Sequence, residues 1–353
     1  MSENRARLRV AHPLREGPQW NAPEGACAPA PVVSVVTPTF NSAATISDTI
    51  ASVAAQTWRE FEMIVVDDGS RDHTPMVLAQ HARRYPWISW CVQNNGGAAA
   101  ARESAIAIAR GEFIAFLDAD DVWAPNKLAL QIAAFERNPA AAFIYTDMRD
   151  FYPDRDRSRT LFEIKQPARG NVLRALFDRG NFILTSTAMV RKSALREVHG
   201  FDPSLRINED VDLWFRLAER YEFDYIPEVL VRRRLLAHSL MHSNTLGVWQ
   251  SDLDLIDRWV QRRPDLFPPD SPWVRYRLAL TWSRLANQYL HRRAFPESRH
   301  AFLQAMRYGR FDPRTLARGL AACAPPTADL YWATKAACKR VLRSPATAVA
   351  QRF

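Results

Sequence analysis

Cysteine is scarce and scattered. Cys27, Cys91, Cys323 and Cys338 stand far apart in 353 residues. They form no CxxC pair and no metal-ligand spacing, which excludes a disulfide scaffold and a cysteine-built metal centre. A reducing, cytosolic setting fits this usage. Cys91 lies in an apolar stretch and reads as a small buried residue. Long apolar runs are also missing: none approaches the ~20 residues of a membrane-spanning helix. The N-terminus carries Arg5, Arg7 and Arg9 but lacks the apolar core of a secretion signal. Residues 1–31, rich in Pro, Ala and Gly, read as a mostly disordered leader. The loop after the first expected strand, Thr37-Pro38-Thr39-Phe40-Asn41, contains no glycine. That excludes the dinucleotide-binding fingerprint, the phosphate loop of nucleotide triphosphatases, and the Gly-rich first loop of sugar-nucleotide pyrophosphorylases.

Acid is missing from one end. Residues 245–353 carry 18 Arg/Lys against 8 Asp/Glu, whereas residues 1–244 carry 29 against 30. The net charge of +9 therefore belongs to the C-terminal third, which implies two environments for one chain. The stretch from Tyr331 to Phe353 holds five Lys/Arg with Trp332 and Leu342, and no acidic residue. That pattern suits an anionic membrane surface. Nucleic acid is not expected as a partner, because aromatic and basic residues are not interleaved in a binding motif.

What is present is an alternation of strands and helices. Val32–Val36, Phe61–Val66, Ile88–Val92, Phe113–Leu117 and Ala142–Tyr145 read as buried strands. A helix with Ile46, Ile50 and Val53 on one face follows the first. Thr74-Pro75 reads as an N-cap with proline at the first helical position. An Ala-rich helix runs to about Arg110. Residues 148–170 read as an exposed loop, Phe182–Val190 and Val229–Leu236 as further strands. Asn208-Glu209-Asp210 open a helix containing Leu213, Trp214 and Leu217. Beyond Thr245 the pattern is helical, with a pair at 276–289 and 296–307.

This order predicts an α/β fold with a mostly parallel sheet and helices on both faces, followed by a helical region. Its divisions are a leader over 1–31, a catalytic unit over 32–244 and a basic helical region over 245–353. Ligands of such sheets bind beyond the carboxyl ends of the strands. Those ends carry Thr39/Asn41, Asp67/Asp68, Asn94–Gly97 and Asp118/Asp120/Asp121. Carboxylates packed as closely as Asp118, Asp120 and Asp121 repel one another unless a cation or a donor compensates. Mg²⁺ or Mn²⁺ suits such oxygen ligands.

These pieces resemble glycosyltransferase family 2, the inverting transferases with the GT-A fold, from about Val32 to Ser239. Ser34–Asn41 resembles the family's opening motif, and Val65-Val66-Asp67-Asp68-Gly69-Ser70 its nucleotide-base motif. Asn95-Gly96-Gly97 with Ala100-Ala101-Arg102 resembles its glycine turn and diphosphate-side arginine. Phe116-Leu117-Asp118-Ala119-Asp120-Asp121 resembles its DXD metal motif. Gly200-Phe201-Asp202 with Glu209-Asp210-Val211-Asp212-Leu213-Trp214 resembles its acceptor and base region.

The resemblance implies transfer of a sugar from a nucleotide-sugar donor, UDP-linked, to an acceptor hydroxyl in surface glycan or glycoconjugate synthesis. The acceptor is a glycan, a lipid-linked saccharide or a protein. By the same resemblance Asp120 is the metal ligand, and Asp118 holds the ribose or a metal-bound water. Asp68 accepts a hydrogen bond from the base over a floor of Pro38 and Thr39, with Asn41 and Asp67 as further substrate-binding residues. Arg102 stabilises the nucleotide side. Asp210 is the general base, flanked by Glu209, and Trp214 stacks on a sugar or packs in the core. The cofactor is Mn²⁺ or Mg²⁺. The location is cytoplasmic, at the inner membrane face.

Two positions depart from the family pattern. Glu103 stands where asparagine is frequent, and Leu236 where a histidine often follows the last arginine. His238 and His242 are the nearby alternatives, so a histidine contact stays open. A competing reading is a protein that binds nucleotide-sugar, membrane or nucleic acid without turnover.

Overall fold

The computed structural model describes residues 20–21, 30–152, 155–235, 245–309, 318–320 and 322. Within the first part strands and helices alternate: β1 (Val33–Thr39), α1 (Ile46–Ala54), β2 (Phe61–Asp67), α2 (Thr74–Arg84), β3 (Ile88–Val92), α3 (Ala98–Ile108) and β4 (Phe113–Phe116). β5 (Val122–Trp123), α4 (Lys127–Arg137), β6 (Ala141–Tyr152), β7 (Arg155–Thr160), α5 (Leu161–Ile164) and α6 (Leu173–Arg179) follow. A 3₁₀ turn at Thr185–Thr187 precedes β8 (Met189–Arg191), α7 (Lys192–Glu197), α8 (Glu209–Ala218) and β9 (Glu222–Arg234). Three helices complete the described residues in this order: α9 (Thr245–Arg262), α10 (Pro272–His291) and α11 (Phe295–Arg307).

The sheet runs β3-β2-β1-β4-β8-β6-β9-β5, with β7 paired to β6. β3, β2, β1 and β4 are parallel throughout. β8 then runs antiparallel to both β4 and β6, while β6 and β9 are parallel. The parallel half is the half that right-handed crossovers build. β4 returns to the far side of β1, so the strand order reverses between them and opens a crevice at their carboxyl ends.

Alternate residues of the strands feed two cores. Val33, Val35, Met63, Val65 and Ala115 face α1 and α4 through Ile46, Ile50, Leu128 and Phe135. Val36, Ile64, Val66 and Phe116 face the other side, against Ala105, Leu176, Leu195 and Leu213. That second core continues into Ile256, Trp259, Phe267 and Leu278. Helices α9 and α10 therefore share the core of the sheet. Arg277, buried on α10, ties them to α6 by donating to Phe177 O at 2.8 Å and to both oxygens of Asp252.

Three expectations are corrected. Residues 148–170 do not form a loop: β6 runs to Tyr152, turns into β7, and α5 follows. The charges there are cross-strand pairs, Arg233 with Asp150 at 2.7 Å and Arg232 with Asp156 at 2.5 Å. The expected strand at Phe182–Val190 survives only at its end. Its hydroxyl residues close a 3₁₀ turn, with Thr187 N bonded to Leu184 O at 2.9 Å. Thr74 is not an N-cap: α2 begins on it, and its hydroxyl donates to Asp72. Asn208 stands at the N-cap of α8 with a left-handed φ of 59°; its side chain makes no cap bond and donates instead to Val248 O. Cys91 is buried as expected, and burial, then Asp67, pushes its thiol up to about 12. Leu236, His238, His242 and the basic segment from Tyr331 lie outside the described residues.

Candidate active site

The crevice begins at the end of β1 and β2. Asp67 is fully buried and accepts from Ser70 N at 2.9 Å through Oδ1. Its Oδ2, with the hydroxyls of Thr37 and Thr39, is buried without a hydrogen-bond partner among the described residues. Three such atoms side by side on adjoining strands are costly unless a ligand satisfies them. Pro38 lies between the two threonines in β1. Asn41, at φ 51°, locks the neighbouring loop by accepting from Arg71 N at 2.8 Å. Asp68 accepts from Gly96 N and Gly97 N at 2.7 Å each, and from Gln93 Nε2 at 2.8 Å. One acceptor position of the four on that carboxylate stays open. Gly97 must be glycine: its φ is 87°, and a Cβ would meet Arg206 Nη1 at 2.6 Å.

The strand-end acids divide by direction. Asp121 is 1% exposed and turns inward. It accepts from Ser186 Oγ at 2.6 Å and from Arg234 N at 3.2 Å. Burial, then Asp120 and Asp118, holds its carboxyl well above the usual range. Asp118 faces the crevice and accepts from Arg102 Nη2 at 2.8 Å. Burial, then the Asp118 charge, pushes Asp120 up to about 6. Arg234 buttresses it, donating to Asp120 O at 3.1 Å and Asp48 Oδ2 at 2.7 Å. Arg102 is shared between Asp118 and Glu209, so these two carboxylates with Asp120 keep a net negative charge, which fits a divalent cation. Among the described residues no cage of three or more ligands forms. An ion held here by Asp120 would take its remaining ligands from substrate phosphates and water.

Helix α3 joins this side to the other. Arg102 is 4% exposed, and its two terminal nitrogens reach Asp118 and Glu209, each at 2.8 Å. Both forks of Arg102 are thus taken by carboxylates. Glu103 accepts from Phe201 N at 2.6 Å. Its departure from asparagine thus has a structural reason, since it holds the turn that leads to α8. The Phe201 ring lies under the Arg102 guanidinium at 5.3 Å.

On α8, Asp210 is half-buried, with Oδ2 accepting from Thr185 Oγ1 at 3.0 Å and Oδ1 from Val211 N at 2.8 Å. Burial, then Glu209, pushes its carboxyl up to about 6, while Arg102, Thr185 and Val211 N–H draw it down. A carboxylate with that value is poised to take a proton near neutrality. Asp212, by contrast, is occupied by Arg216 and Arg258 on the far side of the helix. Trp214 is fully buried, 4.7 Å from the Phe143 ring and 6.0 Å from Phe116. It is a core residue, not a sugar platform, because the apolar stripe of α8 faces the sheet.

Of the residues expected from the sequence, the structure sets Thr39 opposite Asp67 in paired strands and joins Asp118 to Glu209 through Arg102. Sequence reasoning missed Arg234 and Gln93 as members of the site, and gave the hydroxyls of Thr185 and Ser186 no partners. Strand-end position was the available signal for Arg234. The others carry none, because their partners are remote in sequence.

A parallel half-sheet with a strand-end acid pair and a helix-borne carboxylate across the crevice defines a glycosyltransferase of the GT-A type. Residues 34–199 match the family described as Glycosyl transferase family 2. The chain is 32% identical over 212 residues to the putative teichuronic acid biosynthesis glycosyltransferase TuaG of Bacillus subtilis, covering 60% of this chain and 81% of TuaG. This chain belongs to glycosyltransferase family 2. Its fold is shared with the S. aureus TarS 1–349 structure in complex with UDP: TM-score 0.53, 17% identity, 82% of this chain and 90% of TarS 1–349. It is shared too with the mannosyltransferase PcManGT of Pyrobaculum calidifontis in complex with GDP-Man and Mn2+: TM-score 0.57, 20% identity, 91% of this chain and 83% of that one.

Proposed function

We propose that this glycosyltransferase transfers a sugar from a UDP-linked donor to an acceptor hydroxyl, with inversion, in surface glycan or glycoconjugate synthesis. The observation that carries it is the bridge from Asp118 through Arg102 to Glu209, which sets Asp210 across the crevice from the acid pair. The orphaned oxygens of Thr37, Thr39 and Asp67 receive the polar groups of the nucleoside. Asp68 accepts from the base, and Asp118 holds the ribose or a metal-bound water. Asp120 would hold a Mn²⁺ or Mg²⁺ ion. That ion, when bound, supplies positive charge to the leaving diphosphate. Asp210 takes the proton from the acceptor hydroxyl as that oxygen bonds to the anomeric carbon and the bond to the diphosphate breaks. A single displacement inverts that carbon, so an α-linked donor gives a β-linked product.

The putative role of TuaG in teichuronic acid biosynthesis and the UDP in the TarS complex support this substrate class. No helix among the described residues is long and apolar enough to cross a membrane. The positive charge beyond residue 244 supports a site at the anionic inner membrane face, where a lipid-linked acceptor would lie. A turnover screen with Mn²⁺ across UDP-, GDP- and dTDP-sugars, reading nucleotide diphosphate release, tests the proposal. Release from a UDP-sugar that Asp210→Asn suppresses supports it; binding without release from any donor refutes it.

A further inference from the structure

The turn Thr185–Thr187 bears no charge, yet both halves of the site hang on it. Its residues are 5%, 0% and 0% exposed. Thr185 Oγ1 donates to Asp210 Oδ2 at 3.0 Å. Ser186 Oγ donates to Asp121 Oδ2 at 2.6 Å and accepts from Asp118 N at 3.1 Å. From below, Trp123 Nε1 donates to Ser186 O at 2.9 Å, and Gln131 Nε2 to Thr187 O at 3.0 Å. Gln131 is held in turn by Lys127 Nζ at 2.6 Å, itself buried against the Trp123 ring. The hydroxyl that reaches Asp210 therefore cannot move independently of the acidic motif.

We propose that Thr185 is a positioning residue for transfer: it holds the Asp210 carboxylate at a set distance from the strand-end acids, through a turn locked to both. The inference rests on Asp210 being the base. Thr185 keeps its own proton throughout; the acceptor's proton goes to Asp210. An O–H donated to Oδ2 favours the ionised carboxylate over the acid. The charged groups facing Asp210 are Glu209 on its own helix and Arg102 from α3, which act in opposite senses. The turn contributes none. Thr185 is thus the neutral group that orients the base and keeps it deprotonated.

Thr185→Val retains the shape and removes the donor. Its turnover number should fall roughly 10–100-fold, the range for a hydrogen bond to a charged group. Donor KM and UDP affinity with Mn²⁺ should not change. The acidic limb of the pH–rate profile should move up by about one pH unit. Thr185→Ser should restore the rate. A second arm needs no substrate. Thermal unfolding from pH 4 to 8 of wild type and Asp210→Asn gives, by difference, the protonation of Asp210. The same difference in a Thr185→Val background should inflect at higher pH; Thr185→Ala replaces valine if that variant does not fold. An unmoved inflection, wild-type turnover in Thr185→Val, or failure of serine to rescue would overturn the proposal. If Asp210→Asn itself transfers at the wild-type rate, the base assignment fails instead, and the unfolding arm still decides whether Thr185 tunes Asp210.

Discussion

In the proposed reaction two carboxylates at the crevice do different work because their surroundings differ. Asp210 needs to be ionised to take a proton, so transfer should decline as pH falls through about 6. Asp210→Asn should lower the turnover number by roughly 10²–10⁴-fold with little change in donor affinity. The same substitution should stabilise the fold at neutral pH. The folded-state value lies above the unfolded one, so the native protein holds this proton more tightly. That contribution is full below the unfolded value near 4 and is lost as pH rises through about 6. Asparagine removes the cost, on the order of 1 kcal/mol, or roughly 2–4 °C in Tm. Differential scanning calorimetry at pH 7.5 checks this; a lower Tm for the variant would contradict it. Asp120 has another task. Calorimetric titration of UDP with and without Mn²⁺ should show metal-enhanced binding in wild type and none in Asp120→Asn. Equal affinity in all four measurements would remove Asp120 as the metal ligand.

At the scale of the element, α3 organises the site. Its first residues follow Gly96 and Gly97, whose N–H groups hold Asp68. One turn later Arg102 bridges Asp118 and Glu209, and Glu103 fixes the turn before α8. Removing Arg102 leaves two carboxylates without their cation. Arg102→Ala should therefore destabilise by roughly 3–5 kcal/mol, the range for breaking a buried pair. Urea unfolding of Arg102→Ala, Glu209→Ala and the double variant should show strong non-additivity, with the double far less unstable than the sum. Additive effects would mean the bridge carries no coupling.

At the scale of the molecule, α9 and α10 complete a core begun by the sheet, so the catalytic unit and the helices after residue 244 are packed as one body. The charge nevertheless stays divided, near zero before residue 245 and strongly positive after it. Liposome co-sedimentation should show salt-sensitive binding to anionic vesicles that is lost when residues 327–353 are deleted, each cation adding about 1 kcal/mol near such a surface. Sedimentation that survives the deletion, or no binding at low salt, would leave the membrane out of the mechanism.

Local chemistry in the sequence determined the strand–helix alternation, the order of the motifs and the placing of Thr39, Asp67 and Asp118 at strand ends. β-branched runs, glycine turns and strand-end acids act over a few residues, so neighbours in the chain carry the signal. Tertiary structure decided what those residues touch. Arg102 meets a glutamate 107 residues away, and Ser186 an aspartate 65 residues away. Trp214 is core because α8 lies on the sheet, and the Arg/Asp run after Met148 is a strand because β9 pairs with it. The Thr185–Thr187 turn breaks a strand-like sequence because its hydroxyls and carbonyls find partners on four other segments. Such contacts exist only once the sheet has brought distant segments together, and no spacing along the chain records them.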